Sequence, residues 1–347
     1  MFTGTSKQLT ILHLALLASI GAIACEQLEA PPETPQVDGA ASAMWQTVWF
    51  DDFDGTGLDP ENWAPEVSCW GGGNNERQCY TGREANVEVE DGILLLKARE
   101  EAFTGPLFPE GMQGAPGGER TQSYTSGKIR SKGLASWRYG RFSARLKLPE
   151  GQGTWPAFWM MPEDDAYGGW PLSGEIDIME ATNLETPCEE CFSGVERRTS
   201  GALHFGGVIP DNTYLFLTTK GDEDVGPSRE WRVYSIEWAE DAIQWFVDGE
   251  AFMRIESEDW YTEAPGAEGR PHAPFDQPFY LMLNLAVGGN LAEQKNGRGF
   301  DPGAFPAELL VDWVKVEQCE GDDTGRSCMT QTGWTGTPQG PWETQAR

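Results

Sequence analysis

From residue 44 onward the sequence consists of short segments in which apolar and polar residues alternate, separated by glycine, aspartate, asparagine and proline. In RFSARLKL at 141–148, every second side chain is apolar, as in a strand with one buried and one exposed face. Asp248 and Gly249 lie between two apolar runs and predict a hairpin turn, because both positions must tolerate a positive φ. Convincing helical periodicity is rare, so the pattern indicates an all-β chain.

The strands predict a two-sheet antiparallel β-sandwich of jelly-roll type. The run FYLMLNLAV at 279–287 is almost wholly apolar and predicts a strand covered on both faces, and ELLVDWVKVEQ at 308–318 predicts a closing strand. A single domain over 44–318 suits this length, because sandwiches reach about 250 residues as one unit. Residues 319–347 predict a C-terminal tail held by a disulfide.

The first 24 residues predict an export signal. Lys7 precedes the apolar run ILHLALLASIGAIA at 11–24, which is too short to span a bilayer comfortably. Because the run ends in AIAC at 22–25, we expect Cys25 to become a lipidated N-terminus; cleavage that leaves an unmodified cysteine is the alternative. Residues 25–43 are rich in Glu, Pro and Ala and predict a flexible tether. The chain is therefore expected to be exported as a cell-surface lipoprotein, or alternatively to be secreted or periplasmic.

The net charge of the chain excludes some classes of binding partner. The chain has 55 acidic and 25 basic residues and a formal net charge of −30, so its surface repels nucleic-acid phosphates and acidic membranes. We expect no nucleic-acid partner, membrane contact only through the N-terminal lipid, and a monomer. A saline habitat also favours acidic surfaces, so the acidity alone indicates no function.

Six cysteines besides Cys25 fall into three close pairs along the sequence. In an oxidising compartment the simplest pairing is three local disulfides, Cys69–Cys79, Cys188–Cys191 and Cys319–Cys328. A zinc site on the CEEC segment at 188–191 is the alternative, but structural zinc takes four ligands and the sequence has no second CxxC or His pair.

Three carboxylates are crowded into GEIDIME at 174–180. On a regular strand Glu175 and Asp177 share one face and Glu180 lies on the other. A β-bulge at the step from Ile178 to Met179 would shift the register by one residue and return Glu180 to the first face. Like charges this close raise at least one pKa, which suits a general acid near neutral pH and the carboxyl pair of glycoside hydrolysis. A solvated acidic strand is the alternative.

The motifs around this segment resemble glycoside hydrolase family 16 and, within it, the laminarinase-like β-1,3-glucanases. The resemblance covers residues 45–318 and rests on FDDFDGTGLDPENW (50–63), GGGNNERQCYTGREANVEVEDGILLLKA (71–98), YGRFSARLKLPEGQGTWPAFWMMP (139–162), GGWPLSGEIDIMEATN (168–183), LNLAVGGN (283–290) and VDWVKV (311–316). It implies a concave substrate cleft and an endo-acting, retaining glycosidase that cleaves internal β-1,3 bonds of laminarin-like glucans without a cofactor for catalysis.

The resemblance also implies roles for single residues. Glu175 corresponds to the nucleophile, Glu180 to the general acid/base and Asp177 to an assisting carboxylate between them. Flat indoles can stack on the apolar faces of sugar rings, and polar side chains can bind hydroxyls. The candidate substrate-binding residues are Trp155, Trp159, Trp170, Asn74, Arg130 and His204.

Many members of the family bind a structural calcium ion far from the cleft, through oxygen ligands. The matching positions here are Asp52, the backbone carbonyl of Gly92, and Asp312. Family members usually carry Glu where Asp52 stands. An exposed strand residue with no ion is the alternative reading of Asp312.

Three segments depart from the family pattern. LHFGG at 203–207 replaces the more usual IHGPG, and both the insertion with Cys188 and Cys191 and the segment EQKNGRGF at 293–300 differ from the commonest form. Such loops can alter the subsites, so mixed-linkage glucan and marine galactan are alternative substrates. A non-catalytic β-glucan-binding surface protein is an alternative function, and transglycosylation an alternative outcome of the same chemistry.

Overall fold

The computed structural model describes residues 44–112, 115–191, 193–219, 230–331 and 336–340. Within these ranges no helix is long and apolar enough to cross a membrane. The proposed signal peptide, Cys25 and tether fall in residues 1–43, outside the described residues, so export and lipidation stay predictions.

Strands dominate the described chain. In order they are β1 (Trp45–Asp51), β2 (Ala64–Pro65), β3 (Gln78–Tyr80), β4 (Val87–Glu90), β5 (Ile93–Pro106), β6 (Glu119–Ser126), β7 (Lys128–Arg130), β8 (Gly140–Lys147), β9 (Thr154–Pro162), β10 (Glu175–Glu180), β11 (Ser200–Gly206), β12 (Asn212–Thr218), β13 (Arg232–Trp238), β14 (Ala242–Val247), β15 (Glu250–Glu256), β16 (Phe279–Val287) and β17 (Ala307–Cys319). The helical elements described are α1 (Gly289–Gln294) and short 3-10 turns at Ser257–Asp259, Lys295–Gly297, Pro302–Ala304 and Arg326–Cys328.

The strands form two sheets. In sheet I the order is β15-β14-β13-β8-β17-β5-β6-β3, with β1 paired to β17 and β4 to β5. Sheet II has the order β12-β11-β10-β9-β16-β7-β2. Strands β3 and β6 pair in parallel, whereas the other strand pairs described are antiparallel. The prediction of an all-β, two-sheet jelly roll is confirmed.

Alternation of side chains builds the core between the sheets. On β8 the alternate residues Phe142, Ala144 and Leu146 are fully buried. Strand β16 is buried along its whole length, as its apolar sequence predicts. Asp248 and Gly249, with φ of 50° and 83°, form the predicted turn between β14 and β15. We call the side of sheet II that faces away from sheet I its open face.

The three predicted disulfides are present, Cys69–Cys79, Cys188–Cys191 and Cys319–Cys328. Because the second bridge consumes both thiols of the CEEC segment, the zinc alternative is wrong.

Beyond β17 the tail contacts both sheets. The backbone N–H of Thr330 donates to the buried Glu237 of sheet I over 2.6 Å. Gln339 exchanges two backbone hydrogen bonds with Phe216 of β12, of 2.9 and 2.8 Å, at the outer edge of sheet II. The boundary between domain and tail stays a prediction.

Candidate active site

The strand that carries the three carboxylates has the predicted bulge. On β10, Asp177 lies opposite Trp159 of β9, and the register then shifts before Met179. Ile178 and Met179 are both buried in the core between the sheets. Two successive residues therefore point inward, and Glu180 returns to the open face. All three carboxylates of the segment share that face.

A buried tryptophan of sheet I stabilises the bulge from the core side of sheet II. The indole Nε1 of Trp245, on β14, donates to the backbone oxygen of Asp177 over 2.8 Å, and this tryptophan is fully buried. Its ring lies against Gly201 of β11, where a Cβ atom would stand 2.3 Å from the indole Cδ1. Only glycine leaves room for the ring at this position.

Each glutamate of the pair accepts a hydrogen bond from an indole. Trp170 Nε1 donates to Glu175 Oε2 over 2.5 Å, and Trp155 Nε1 donates to Glu180 Oε1 over 2.9 Å. Trp170 is 39% exposed, whereas Trp155 is 9% exposed. Trp170 can therefore offer a face to a ligand, while Trp155 mainly orients a carboxyl.

An imidazole lies beside the same carboxylates. His204 of β11 is directly opposite Glu175 in the sheet, and its Nε2 lies 3.3 Å from Asp177 Oδ2. One ligand atom from each of these three side chains lies within 4.8 Å of the others. The ring of Trp170 lies 6.0 Å from the imidazole ring. The site therefore combines carboxyl groups, one imidazole and an exposed indole.

Burial and the charges of neighbouring groups shift the pKa values of Asp177, Glu180 and His204. Burial, reinforced by the charges of Glu175 and Glu180, raises the pKa of Asp177 well above its ordinary value. Burial also raises the pKa of Glu180, although the Trp155 hydrogen bond and His204 oppose it. Burial lowers the pKa of His204, but the carboxylates outweigh it and raise that pKa to about 9. A cationic imidazole is a poor metal ligand, and a carboxyl that keeps its proton suits general acid work.

The other predicted substrate residues lie further along sheet II. Trp159, opposite Asp177, donates from Nε1 to Asn284 Oδ1 over 2.6 Å. Arg130 occupies the same cross-strand row, opposite Met282 and three strands from β10. The row runs from the carboxylates across the open face.

The backbone of Asn74 contacts the start of α1, near the site. Its oxygen accepts a hydrogen bond of 2.7 Å from the N–H of Asn290, at the start of α1. A Cβ atom at Gly289 would lie 3.1 Å from this oxygen and 3.4 Å from the Trp155 ring. Asn74 and the tryptophan that contacts Glu180 therefore both lie close to Gly289.

Two polar residues of sheet II escaped the sequence analysis. Besides accepting from Trp159, Asn284 donates to Tyr80 Oη over 3.1 Å. Lys128 places its ammonium 4.9 Å from the Trp159 ring and 3.2 Å from Glu66. The single amide within the apolar run FYLMLNLAV was an available signal for Asn284, whereas no local pattern marks Lys128.

The candidate calcium ligands lie along one edge of β17. Strand β1 ends with Asp51 opposite Val314, so Asp52 follows beside this edge, and β5 begins just after Gly92 with Leu94 opposite Val311. Asp312 lies between these two pairings, at a bulge. The donor set, two carboxylates and a carbonyl, fits calcium. Arg145 Nη1 donates to Asp312 Oδ2 over 2.5 Å, so an ion would compete with that guanidinium.

Comparison with known proteins shows which family this sequence and fold resemble. The family model described as glycosyl hydrolases family 16 matches residues 74–315. A glucan endo-1,3-beta-glucosidase A1 from Niallia circulans is 40% identical over 80% of this chain, which spans 38% of that protein's length. A beta-glucanase from Rhodothermus marinus is 40% identical over 78% of this chain and 85% of its own. The crystal structure of a laminarinase from Rhodothermus marinus superposes with a TM-score of 0.63 at 37% identity, covering 80% of this chain and 98% of that one.

Proposed function

This chain belongs to glycosyl hydrolases family 16, and on that premise we propose that it is an endo-acting hydrolase of internal β-1,3 bonds in laminarin-like β-glucans. The observation that carries the proposal is the bulge of β10, which brings Glu175 and Glu180 to one face, each with an indole donor. We propose a retaining double displacement, which uses two carboxyl groups about 5–5.5 Å apart.

In the first step the Glu175 carboxylate attacks the anomeric carbon while Glu180 gives its proton to the glycosidic oxygen. The bond between that carbon and the leaving chain breaks, and a glycosyl ester forms on Glu175. The N–H of Trp170 holds the attacking carboxylate in one orientation. The raised pKa of Glu180 keeps its proton available near neutral pH.

In the second step Glu180, now ionised, takes a proton from water, and the hydroxide attacks the same carbon. The ester bond breaks and Glu175 leaves as a carboxylate, so the configuration is retained. Asp177, whose raised pKa favours its protonated form, can donate a hydrogen bond to Glu175 when the latter is charged. The cationic His204 balances the remaining negative charge.

The substrate class is tested by reducing-sugar release from laminarin, lichenan, agarose and carrageenan. We expect laminarin to be cleaved with the highest kcat/KM and with falling chain length from the first turnovers, because the enzyme cuts internally. Strong activity on a galactan with none on laminarin would contradict the substrate assignment. Laminarin binding without turnover across a broad pH range would instead favour a binding protein. Products longer than the substrate at high laminarin concentration would indicate transglycosylation, in which the glycosyl ester transfers its sugar to another glucan chain instead of water.

We also propose a structural calcium ion held by Asp52, the Gly92 carbonyl and Asp312. With calcium in excess over EDTA, the melting temperature is expected to rise by about 2–4 °C for each kcal/mol of binding free energy. In Asp312→Asn the rise should disappear, because the variant lacks one charged ligand. Equal melting temperatures of the wild type in calcium and in EDTA would refute the site.

A further inference from the structure

Two segments that depart from the family pattern meet next to the active site. Asn296, from the 293–300 segment, exchanges side-chain hydrogen bonds with Gln152 and donates to Thr186, just before the Cys188–Cys191 bridge. Lys295 Nζ lies 3.6 Å from Glu196 Oε2, just after that bridge. The 293–300 segment and the loop that carries the Cys188–Cys191 bridge therefore pack against each other as one structure.

Two cations meet one buried carboxylate within this structure. The side chain of Glu196 is 1% exposed, and Arg198 holds it through contacts of 2.7 Å and 2.9 Å. Lys295 is a second cation on the same carboxylate. Arg198 also contacts Glu190, but that carboxylate is 66% exposed and well screened by solvent. Glu196 is thus the one buried anion among these four groups, and both Arg198 and Lys295 pair with it.

Lys295 is also linked, through α1 and Trp155, to the carboxyl of Glu180 that we assign as acid/base. It follows directly after α1, whose Ala292 packs against Trp155, and Trp155 donates to Glu180. Asn183, three residues beyond Glu180, donates to the Ala292 oxygen over 2.7 Å. Burial lowers the pKa of Lys295, while Glu196 and Glu180 oppose that change. Lys295 in turn lowers the pKa of Glu180.

We propose that Lys295 is a positioning residue for Glu180, a fixed positive charge that Glu196 anchors beside the acid/base carboxyl. This inference rests on the proposed function. Glu180 must carry a proton in the first step and lose it in the second, yet burial favours the protonated form. A nearby ammonium offsets that preference, so the same carboxyl can act as a base. The other charged groups around Glu180 are Glu175, Asp177 and His204.

The test is the pH dependence of kcat/KM on laminarin for the full chain. Removing a positive charge raises the pKa of a neighbouring carboxyl. Lys295→Gln should therefore shift the alkaline limb of the kcat/KM profile to higher pH, by about half a pH unit. The glutamine can still donate to Glu196, and Lys295→Met serves as a second neutral variant. Lys295→Arg keeps the charge and should keep the wild-type limb. Lys315→Gln removes a cation that pairs with Glu317 on sheet I, so it is the matched control.

Thermal unfolding of each variant separates loss of folding from a change in charge. An unshifted alkaline limb in a folded neutral variant would overturn the inference, as would an equal shift in Lys295→Arg or Lys315→Gln. A wild type that turns over no glucan would contradict the proposed function and this inference with it. A wild type that hydrolyses laminarin, with an unshifted Lys295→Gln, would contradict the inference alone.

Discussion

Glu175→Gln is expected to lower kcat/KM on laminarin by at least about 10⁴-fold, because an amide cannot form the glycosyl ester. Glu180→Gln should cost about 10²–10⁴-fold, the usual contribution of a general acid. Both variants should fold, since glutamine can still accept the indole hydrogen bonds of Trp170 and Trp155. Reducing-sugar release, with thermal unfolding of each variant, measures both effects.

The two roles can be separated with azide and an activated aryl glucoside. In Glu180→Ala azide should attack the ester and give a product of retained configuration, because the anion needs no base. In Glu175→Ala azide should attack the substrate itself and give an inverted product. Glu88→Gln, which alters an ion pair with Lys97 on sheet I, is the control and should keep full activity. Reversed stereochemistry would exchange the assigned roles, and near-normal activity in either glutamine variant would remove that residue from the mechanism.

Trp245→Phe should lower the free energy of unfolding by about 1–3 kcal/mol more than a matched tryptophan substitution, because it leaves the buried carbonyl of Asp177 without its indole donor. It should also lower kcat, since the bulge that returns Glu180 to the open face loses its support from sheet I. Denaturant unfolding and laminarin kinetics on the same preparations give both quantities.

The matched substitution is Trp238→Phe. Trp238 is also fully buried, but within the described chain its indole Nε1 has no hydrogen-bond partner. This variant therefore loses similar volume in the core without losing a hydrogen bond. Equal losses of stability in the two variants would mean that the bond to Asp177 contributes nothing measurable, and an unchanged kcat in Trp245→Phe would show that the bulge holds its shape without it.

Much of the fold could be predicted because it depends on local patterns. Alternation along 141–148 indicates the apolar side chains that enter the core, and Asp248-Gly249 indicates a turn. The bulge was also predictable, since Glu180 stands one residue out of phase with Glu175 and only a register shift brings the two together.

Other parts depend on which strands face each other, which no short pattern records. Trp245 meets Asp177 across the two sheets, 68 residues away in sequence. Lys295 meets Glu196 because two unusual segments fold against each other. Trp155 was expected to stack on sugar, but its near-complete burial and its bond to Glu180 favour an orienting role. Such contacts follow from topology, which the sequence motifs indicate only through resemblance.

The place of β17 in sheet I has a consequence for how the chain folds. Among the seventeen strands that the structure describes, β17 comes last in sequence. It nevertheless lies between β8 and β5 in the middle of its sheet and also pairs with β1, so that Trp45 stands opposite Cys319. Sheet I cannot close until residues 307–319 have been synthesised. Folding of sheet I must therefore wait for this segment, and contacts so distant in sequence make its nucleation slow. Until then the apolar edges of β8 and β5 are exposed to pairing with other chains.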